Sequence, residues 1–475
     1  MQPETELKLD LDADRARLFP DWPLLPAPLR IDSLHATYFD TPDRRLDAAG
    51  FSLRIRRIGR KRVQTVKANA APAAGLFARD EWEMPVRGST PLLDDRTPVA
   101  ALLGDAAATL APVFDVVVQR HVWHVVEGDA TIELVLDQGE VRAGDRAMPV
   151  CEIELELQAG APAALFAFAR RIDADVAVRP GMLTKSERGH RLRDSLPPAY
   201  KAERIALDPD VALGEAFARI MANCLRHYRL NEALLLDAYH PDALHQVRVA
   251  VRRMRSALAL FRPALDRDAA APIVAELRWL AATLGEARDI DVLVATLDPG
   301  DPRRARLEAV QQEAHERVLA WLRSARLRAL LLDLVEWLAT GPLRPDQADR
   351  PAAPLAAARL RKLRRRVAKG GRRLERQTDE ARHDVRKAAK KLRYGAEFFA
   401  GLFDRKRQQR RRKTFLAALE RLQAQLGQLN DRASAPATLA RYGLDPAPPA
   451  PDGAALVEAA ADAQAMFADT RAFWR

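Results

Sequence analysis

The sequence predicts an α+β multidomain protein. Its N-terminal part reads as an antiparallel barrel or sandwich, and its C-terminal part as two homologous helical bundles. Three observations carry this reading. Short alternating runs with turn signals fill residues 1–158, apolar residues recur three and four apart from Val211 onward, and a helical motif repeats 138 residues later. At 475 residues the chain is too long for one ordinary core.

The predicted strands cover residues 4–11, 34–41, 51–58, 62–68, 80–86, 113–126, 131–137 and 150–157. Thr41-Pro42-Asp43, Gly59, Gly128-Asp129 and Gly139 act as turn signals between them, because Pro presets φ and Gly tolerates positive φ. A short helix is predicted over 161–172, and Leu196-Pro197-Pro198 reads as a linker. The predicted division is therefore 1–195, a linker at 196–208, and a helical region at 209–475. The helical repeats run over about 209–340 and 355–475, on either side of a Pro-containing break at 341–354.

Charge divides the same way. Residues 1–195 hold 26 Lys and Arg against 30 Asp and Glu, a net of −4, which leaves +15 on the remainder. A basic half points to a polyanion or an anionic membrane surface. Only Cys151 and Cys224 occur, so no disulfide framework or cysteine-rich metal site is expected. The N-terminal MQPETELKLD lacks the basic and apolar regions of a signal peptide, and no uncharged run approaches the ~18–20 residues of a membrane span. The expected compartment is the cytoplasm.

Residues two apart on a strand share a face. Glu4, Glu6 and Lys8 thus point one way on the first strand, and Glu152, Glu154 and Glu156 do so on the last. Arg54 and Arg56 share a face, as do Arg79, Glu81 and Glu83, and as do Glu133 and Asp137; Lys67 and Arg120 are single cations. One such row is the ordinary solvated face of a half-buried strand. The rows together are less ordinary. If the sheet closes with its charges inward, a carboxylate cluster meets a cationic lining. Carboxylates recruit a hard cation such as Mg²⁺ or Mn²⁺, and Arg and Lys grip phosphate oxygens. Burying so many charges with no ligand is costly.

Glu4-Thr-Glu6-Leu-Lys8 resembles the ExExK signature of the CYTH, or triphosphate tunnel metalloenzyme, superfamily. Further matches are Tyr38-Phe39-Asp40-Thr41-Pro42, Leu53-Arg54-Ile55-Arg56, Gln64-Thr65-Val66-Lys67, Arg79-Asp80-Glu81-Trp82-Glu83, Glu152-Ile153-Glu154-Leu155-Glu156 and Lys185-Ser186-Glu187-Arg188-Gly189. Thr184 departs from the Ser that many relatives carry before the lysine. The resemblance implies an eight-stranded tunnel in which Glu4, Glu6, Glu152, Glu154 and Glu156 bind Mg²⁺ or Mn²⁺. Lys8, Arg54, Arg56, Lys67, Arg79, Arg120, Lys185 and Arg188 would hold inorganic triphosphate. Glu4, Glu6, Lys8 and Glu154 are the expected catalytic residues, for water attack on the terminal phosphorus.

In the helical half, His245, Arg248, Arg252 and Arg255 fall at i, i+3, i+7 and i+10, one face of a helix; His383, Arg386, Lys390 and Arg393 repeat it. Val247, Val251, Met254 and Leu258 form a separate apolar face, matched by Val385, Ala389, Leu392 and Ala396. One basic stripe alone is a solvated helix face. Two at identical spacing require acidic neighbours or a bound polyanion to offset like-charge repulsion. These segments resemble the CHAD domain over roughly 205–440. That resemblance implies two four-helix bundles related by a pseudo-twofold axis, with the eight stripe residues binding long-chain polyphosphate. Lys390 and Lys391 stand where the first copy has Arg252 and Arg253, and Asn430 replaces Arg288. Association with polyphosphate granules follows as an expectation.

Adenylate cyclase or thiamine triphosphatase activity on the same barrel, and a non-catalytic polyphosphate binder, are the alternative readings. A specific nucleic-acid partner is not expected. No DNA-binding motif occurs, and no aromatic residues interleave the basic stripes to stack bases.

Overall fold

Period-two alternation of charged and apolar residues makes strand β1 (Glu4–Asp10), and the same pattern recurs through the N-terminal unit. The computed structural model describes residues 4–68, 75–194, 197–443 and 453–475; the side chains of Glu4, Ala78, Arg79, Thr296 and Ala435 lie outside that description. The chain divides into two units, Met1–Pro198 with Leu322–Thr340, and Ala199–Trp321 with Gly341–Arg475.

In the first unit β1 is followed by β2 (Arg30–Asp40), β3 (Phe51–Ile58), β4 (Lys61–Ala68), β5 (Leu76–Arg79), β6 (Glu81–Pro85), β7 (Ala111–Glu127), β8 (Ala130–Ala143), β9 (Arg146–Ala159) and β10 (Arg179–Pro180). All ladders are antiparallel. The order is β10-β1-β9-β8-β7-β2-β3-β4-β6, and β5 pairs back onto β1. Only Asp80 separates β5 from β6, so these two act as one bent stave that curls the sheet into a barrel. Helices α1 (Ala13–Leu18) and α4 (Ala163–Asp175) cover the outside, where Leu7, Leu9, Ile153 and Leu155 are fully buried. Short helices α2 (Arg45–Ala48) and α3 (Val99–Leu103) complete the outer layer, and α5 (Lys185–Arg193) packs on β7, β8 and β9.

The interior has two zones. Leu34, Ala36 and Tyr38 of β2 meet Phe114, Val116 and Val118 of β7 and Leu192 of α5 in an apolar plug. Helix α5 fits this space closely: a Cβ on Gly189 would lie 2.2 Å from the Phe114 ring. Beyond the plug the inward residues are charged.

One feature departs from the sequence expectations. Gly139 is no turn; β8 continues to Ala143 and the hairpin turns at Gly144, with φ of 62°. A Cβ at Gly139 would sit 2.0 Å from the Val117 carbonyl oxygen, so this glycine permits close approach of β7 and β8. Asp40 accepts backbone hydrogen bonds from Thr41, Leu46 and Asp47 at 2.7, 2.9 and 3.1 Å, so it caps a turn.

The remaining helices are α6 (Leu213–Asp237), α7 (Pro241–Phe261), α8 (Arg267–Thr296), α9 (Arg304–Leu322), α10 (Ala325–Thr340), α11 (Pro345–Ala348), α12 (Ala352–Gly370), α13 (Asp379–Phe398), α14 (Lys406–Arg441) and α15 (Gly453–Asp469). Helix α10 packs with the first unit, where Arg328 pairs with Asp173 at 2.5 Å and Arg170 with Asp333 at 2.7 Å. In the second unit the predicted apolar faces are buried: Val247, Val251, Met254 and Leu258 on α7, and Val385, Ala389, Leu392 and Ala396 on α13. Each larger side chain there contributes about 1.5–3 kcal/mol. Thr378 starts α13 by accepting the Ala381 amide hydrogen at 3.3 Å.

Candidate functional site

The charged zone of the barrel is a cavity of 690 Å³. Strand register orders its lining. Glu6, Glu156 and Glu133 lie side by side across β1, β9 and β8; Lys8 and Glu154 form the next row, and Asp10, Glu152 and Asp137 the row behind. Cations occupy the neighbouring strands: Arg120 on β7, Arg54 and Arg56 on β3, and Lys67 on β4. Among the described lining residues, seven cations face seven carboxylates.

Carboxylate oxygens of Asp137, Glu152 and Glu154 lie within 4.8 Å of one another. The Lys8 ammonium reaches Glu152 at 3.0 Å and Glu154 at 2.7 Å. Lys185 reaches Asp137 at 2.6 Å and Glu154 at 2.9 Å, and also bonds Glu152. Arg120 bonds Asp137 at 2.7 Å and Glu154 at 3.0 Å. Burial alone would neutralise Lys8 and Glu154, and the opposite charges win. Burial pulls Lys8 down, but Glu152 and Glu154 hold it well above its ordinary value. Burial likewise pushes Glu154 up, yet Lys185, Lys8 and Arg120 hold it well below the carboxylate range. Three oxygen-donor residues without sulfur or imidazole are the chemistry a hard divalent cation prefers.

Farther along, Lys67 pairs with Glu81 at 2.5 Å and Arg56 with Glu83 at 3.2 Å, while Arg54 donates to the Tyr38 hydroxyl at 3.4 Å. Burial, then repulsion from Arg54 and Arg120, lowers the Arg56 guanidinium.

In the helical unit, Arg248 donates to the Gly285 carbonyl at 2.7 Å and stands 3.6 Å from Asp289. Arg386 stands 3.9 Å from Asp431, the same relation in the second copy. Arg252 donates to the Tyr394 hydroxyl at 2.9 Å, joining α7 to α13. Burial, then Arg386 and Arg252, pushes Lys390 down to about 7. Burial, then Arg288, Arg252 and Arg248, takes His245 to about 4. The two stripes therefore share one basic face at Arg248, Arg252, Arg386 and Lys390.

Family comparison decides the identity of both parts. Residues 2–189 match the CYTH domain model, and residues 219–440 match the CHAD domain model. The chain is a CYTH domain followed by a CHAD domain. An inorganic triphosphatase of Haemophilus influenzae is 31% identical over 163 residues, 33% of this chain and 45% of that protein. An uncharacterised protein of Mycobacterium tuberculosis is 33% identical over 184 residues, 35% of each chain. The chain thus spans less than half the length of these curated relatives. Among solved structures, the CHAD domain of the plant Ricinus communis is 31% identical, covering 56% of this chain and 90% of that one, with a TM-score of 0.46.

The CYTH cavity gathers Glu6, Lys8, Arg54, Arg56, Lys67, Arg120, Glu154, Glu156 and Lys185 from the expected set. Glu152 is fully buried behind it. Arg188 is held there too, bonded to Asp10 at 2.6 Å and Glu152 at 3.3 Å. The side chains of Glu4 and Arg79 lie outside the described residues. Asp137 joins the carboxylate trio without having been expected there; its shared parity with Glu133 was the available signal. On the CHAD domain, His383 bonds Asn430. Arg393 turns to Glu397 at 3.1 Å and Glu420 at 3.9 Å, and Arg255 is crowded by Arg278. Neither arginine belongs to the shared face. No helix among the described residues is long and apolar enough to cross a membrane.

Proposed function

We propose that the CYTH barrel hydrolyses inorganic triphosphate, or a short polyphosphate, with Mg²⁺ or Mn²⁺, and that the CHAD domain binds long-chain polyphosphate. The observation that carries the enzymatic reading is charge balance. With seven cations against seven carboxylates, the cavity is close to neutral. A triphosphate therefore arrives with several negative charges that the lining alone leaves unmatched. Divalent cations offset them, and the carboxylates can recruit those cations.

Glu154, with Asp137 and Glu152 behind it and Glu6 and Glu156 in the adjoining row, would hold the cation. A bound divalent cation supplies charge neutralisation and Lewis-acid polarisation of phosphoryl oxygens. Arg54, Arg56, Lys67 and Arg120 grip phosphate oxygens through charge-assisted hydrogen bonds and align the terminal phosphorus. Phosphoryl transfer depends chiefly on such positioning and electrostatic stabilisation. Lys8 and Lys185 keep Glu154 ionised, and Lys185 does the same for Asp137. The apolar plug behind the site shuts water out at that end. The name of the Haemophilus influenzae relative supports the same substrate.

For the CHAD domain, the reading rests on four converging cations that are only loosely attended by Asp289 and Asp431. Binding would bring the protein to polyphosphate granules.

A phosphate-release assay with triphosphate, ATP, thiamine triphosphate and long polyphosphate, with and without Mg²⁺, Mn²⁺ or EDTA, tests the enzyme. Release from triphosphate that stops in EDTA is expected. No release from triphosphate, or cyclic AMP formed from ATP as the main product, overturns the assignment.

A further inference from the structure

The internal repeat supplies a control on surface charge. In the second copy, Arg393 shares Glu397, four residues on, with Arg253 and also stands 3.9 Å from Glu420 of α14. The offsets of 138 residues on α7/α13 and 142 on α8/α14 make Arg255 the counterpart of Arg393. By the same offsets, Glu397 corresponds to Ala259 and Glu420 to Arg278. One carboxylate is thus lost and the other is reversed in sign. Arg255 is lowered by burial and then by Arg278, and neither arginine has a carboxylate partner among the described residues.

More cations gather at the same place. Arg255, Arg262 and Arg278 border a groove of 450 Å³ between α7 and α8, and Arg359 of α12 donates to the carbonyl of Ala259 in that lining at 2.7 Å. Lys391 is lowered by burial and then by Arg366, Arg255 and Lys387. Among the described residues, only Lys387 in this group pairs with an acidic residue, Asp384 at 2.7 Å. Like charges this close repel unless an anion attends them. The fold itself does not require the excess, because the related position in the second copy carries carboxylates.

Resting on the polyphosphate reading of the CHAD domain, we propose that Arg255, Arg278, Arg359 and Lys391 form a second phosphate-chain site, which extends the track to one side only. Guanidinium forks suit phosphate oxygens, and a cluster of them suits a repeating phosphate chain. Continuity comes from α13. Lys390 lies among Arg248, Arg252 and Arg386, and the next residue, Lys391, lies among Arg255, Arg359 and Arg366. A chain that crosses α13 there passes from the shared face onto the new one. On the opposite side Glu397 and Glu420 end the track. Long chains therefore reach both sites, and short chains occupy the shared face alone.

The test titrates the full-length protein with polyphosphates of about 10 and about 100 phosphates over a salt series. Arg278→Glu, which installs the residue type of the second copy, should weaken the long chain about tenfold and lower its log–log salt slope by about 1–2. It should leave the short chain within about twofold. Arg350→Glu, an exposed change of equal charge elsewhere on the unit, should leave both chains within the same margin. If Arg278→Glu and Arg350→Glu behave alike, or if Arg278→Glu weakens both lengths equally, there is no second site. If wild-type protein binds neither length, the polyphosphate reading itself fails, and the second site with it.

Discussion

Lys8 and Glu154 stand directly opposite each other on β1 and β9, with the lysine ammonium 2.7 Å from the glutamate carboxylate and the lysine side chain 2% exposed. The pair sits at the junction of two carboxylate rows. Its lysine neutralises Glu152 as well, so one cation holds two buried acids in place.

Replacing Lys8 by Met should therefore be costly. Removing one partner of a buried pair costs about 3–5 kcal/mol, because the remaining charge stays desolvated. At that size the barrel's Tm should fall by roughly 6–20 °C. Millimolar Mg²⁺ should recover part of the loss by replacing the missing positive charge. An unchanged Tm in a thermal melt would show that the carboxylates do not depend on Lys8.

Arg56→Ala and Lys67→Ala should each lower kcat/KM for triphosphate by about 10- to 150-fold, the equivalent of one charge-assisted hydrogen bond at about 1.5–3 kcal/mol. Both side chains line the cavity, where Arg56 pairs with Glu83 and Lys67 with Glu81. Steady-state kinetics of the two variants decide the matter. Wild-type values in both would remove these residues from the substrate path.

Polyphosphate affinity should fall as pH rises. Burial, then Arg386 and Arg252, lowers Lys390 to about 7, against Asp431 as the attending carboxylate. A bound polyanion favours the charged form and raises that value. Affinity is then complete below pH 7 and declines above it, by about tenfold between pH 6 and pH 8 for a single linked proton. His245, at about 4, titrates outside this window. Lys390→Arg should flatten the profile in a binding titration. A profile identical to wild type would exclude the linkage.

Gly139→Ala should destabilise the barrel by about 1–3 kcal/mol, since the new Cβ meets the Val117 carbonyl at 2.0 Å. Chemical denaturation measures this directly. A variant as stable as wild type would mean that β7 and β8 part at little cost.

Much of the site was legible from strand parity. Glu6, Lys8, Glu154 and Glu156 were expected on one inward surface because side chains alternate along a strand, and all four line the cavity. Parity could not separate the rows in depth. Glu152 shares the parity of Glu154, but it lies behind the cavity, where it accepts from Lys8 and Arg188. Parity says nothing of Arg188, which lies on α5 and bridges Asp10 and Glu152 beside the apolar plug. Gly139 misled for a related reason. Glycine serves turns and close approaches equally well, and only the neighbouring strand distinguishes them.

The sequence by itself determined the periodicities: which residues share a strand face, which form helical stripes, and that the helical half repeats. These are local properties set by 2.0 and 3.6 residues per repeat. Tertiary structure alone decided which charges meet across elements. Asp137 joins Glu152 through the β8–β9 register. Arg393 stands 3.9 Å from Glu420 across two helices, whereas its counterpart Arg255 meets Arg278. Electrostatic energy depends on separation in space. Glu420 and Arg278 lie far from Arg393 and Arg255 along the chain, and only packing brings them close.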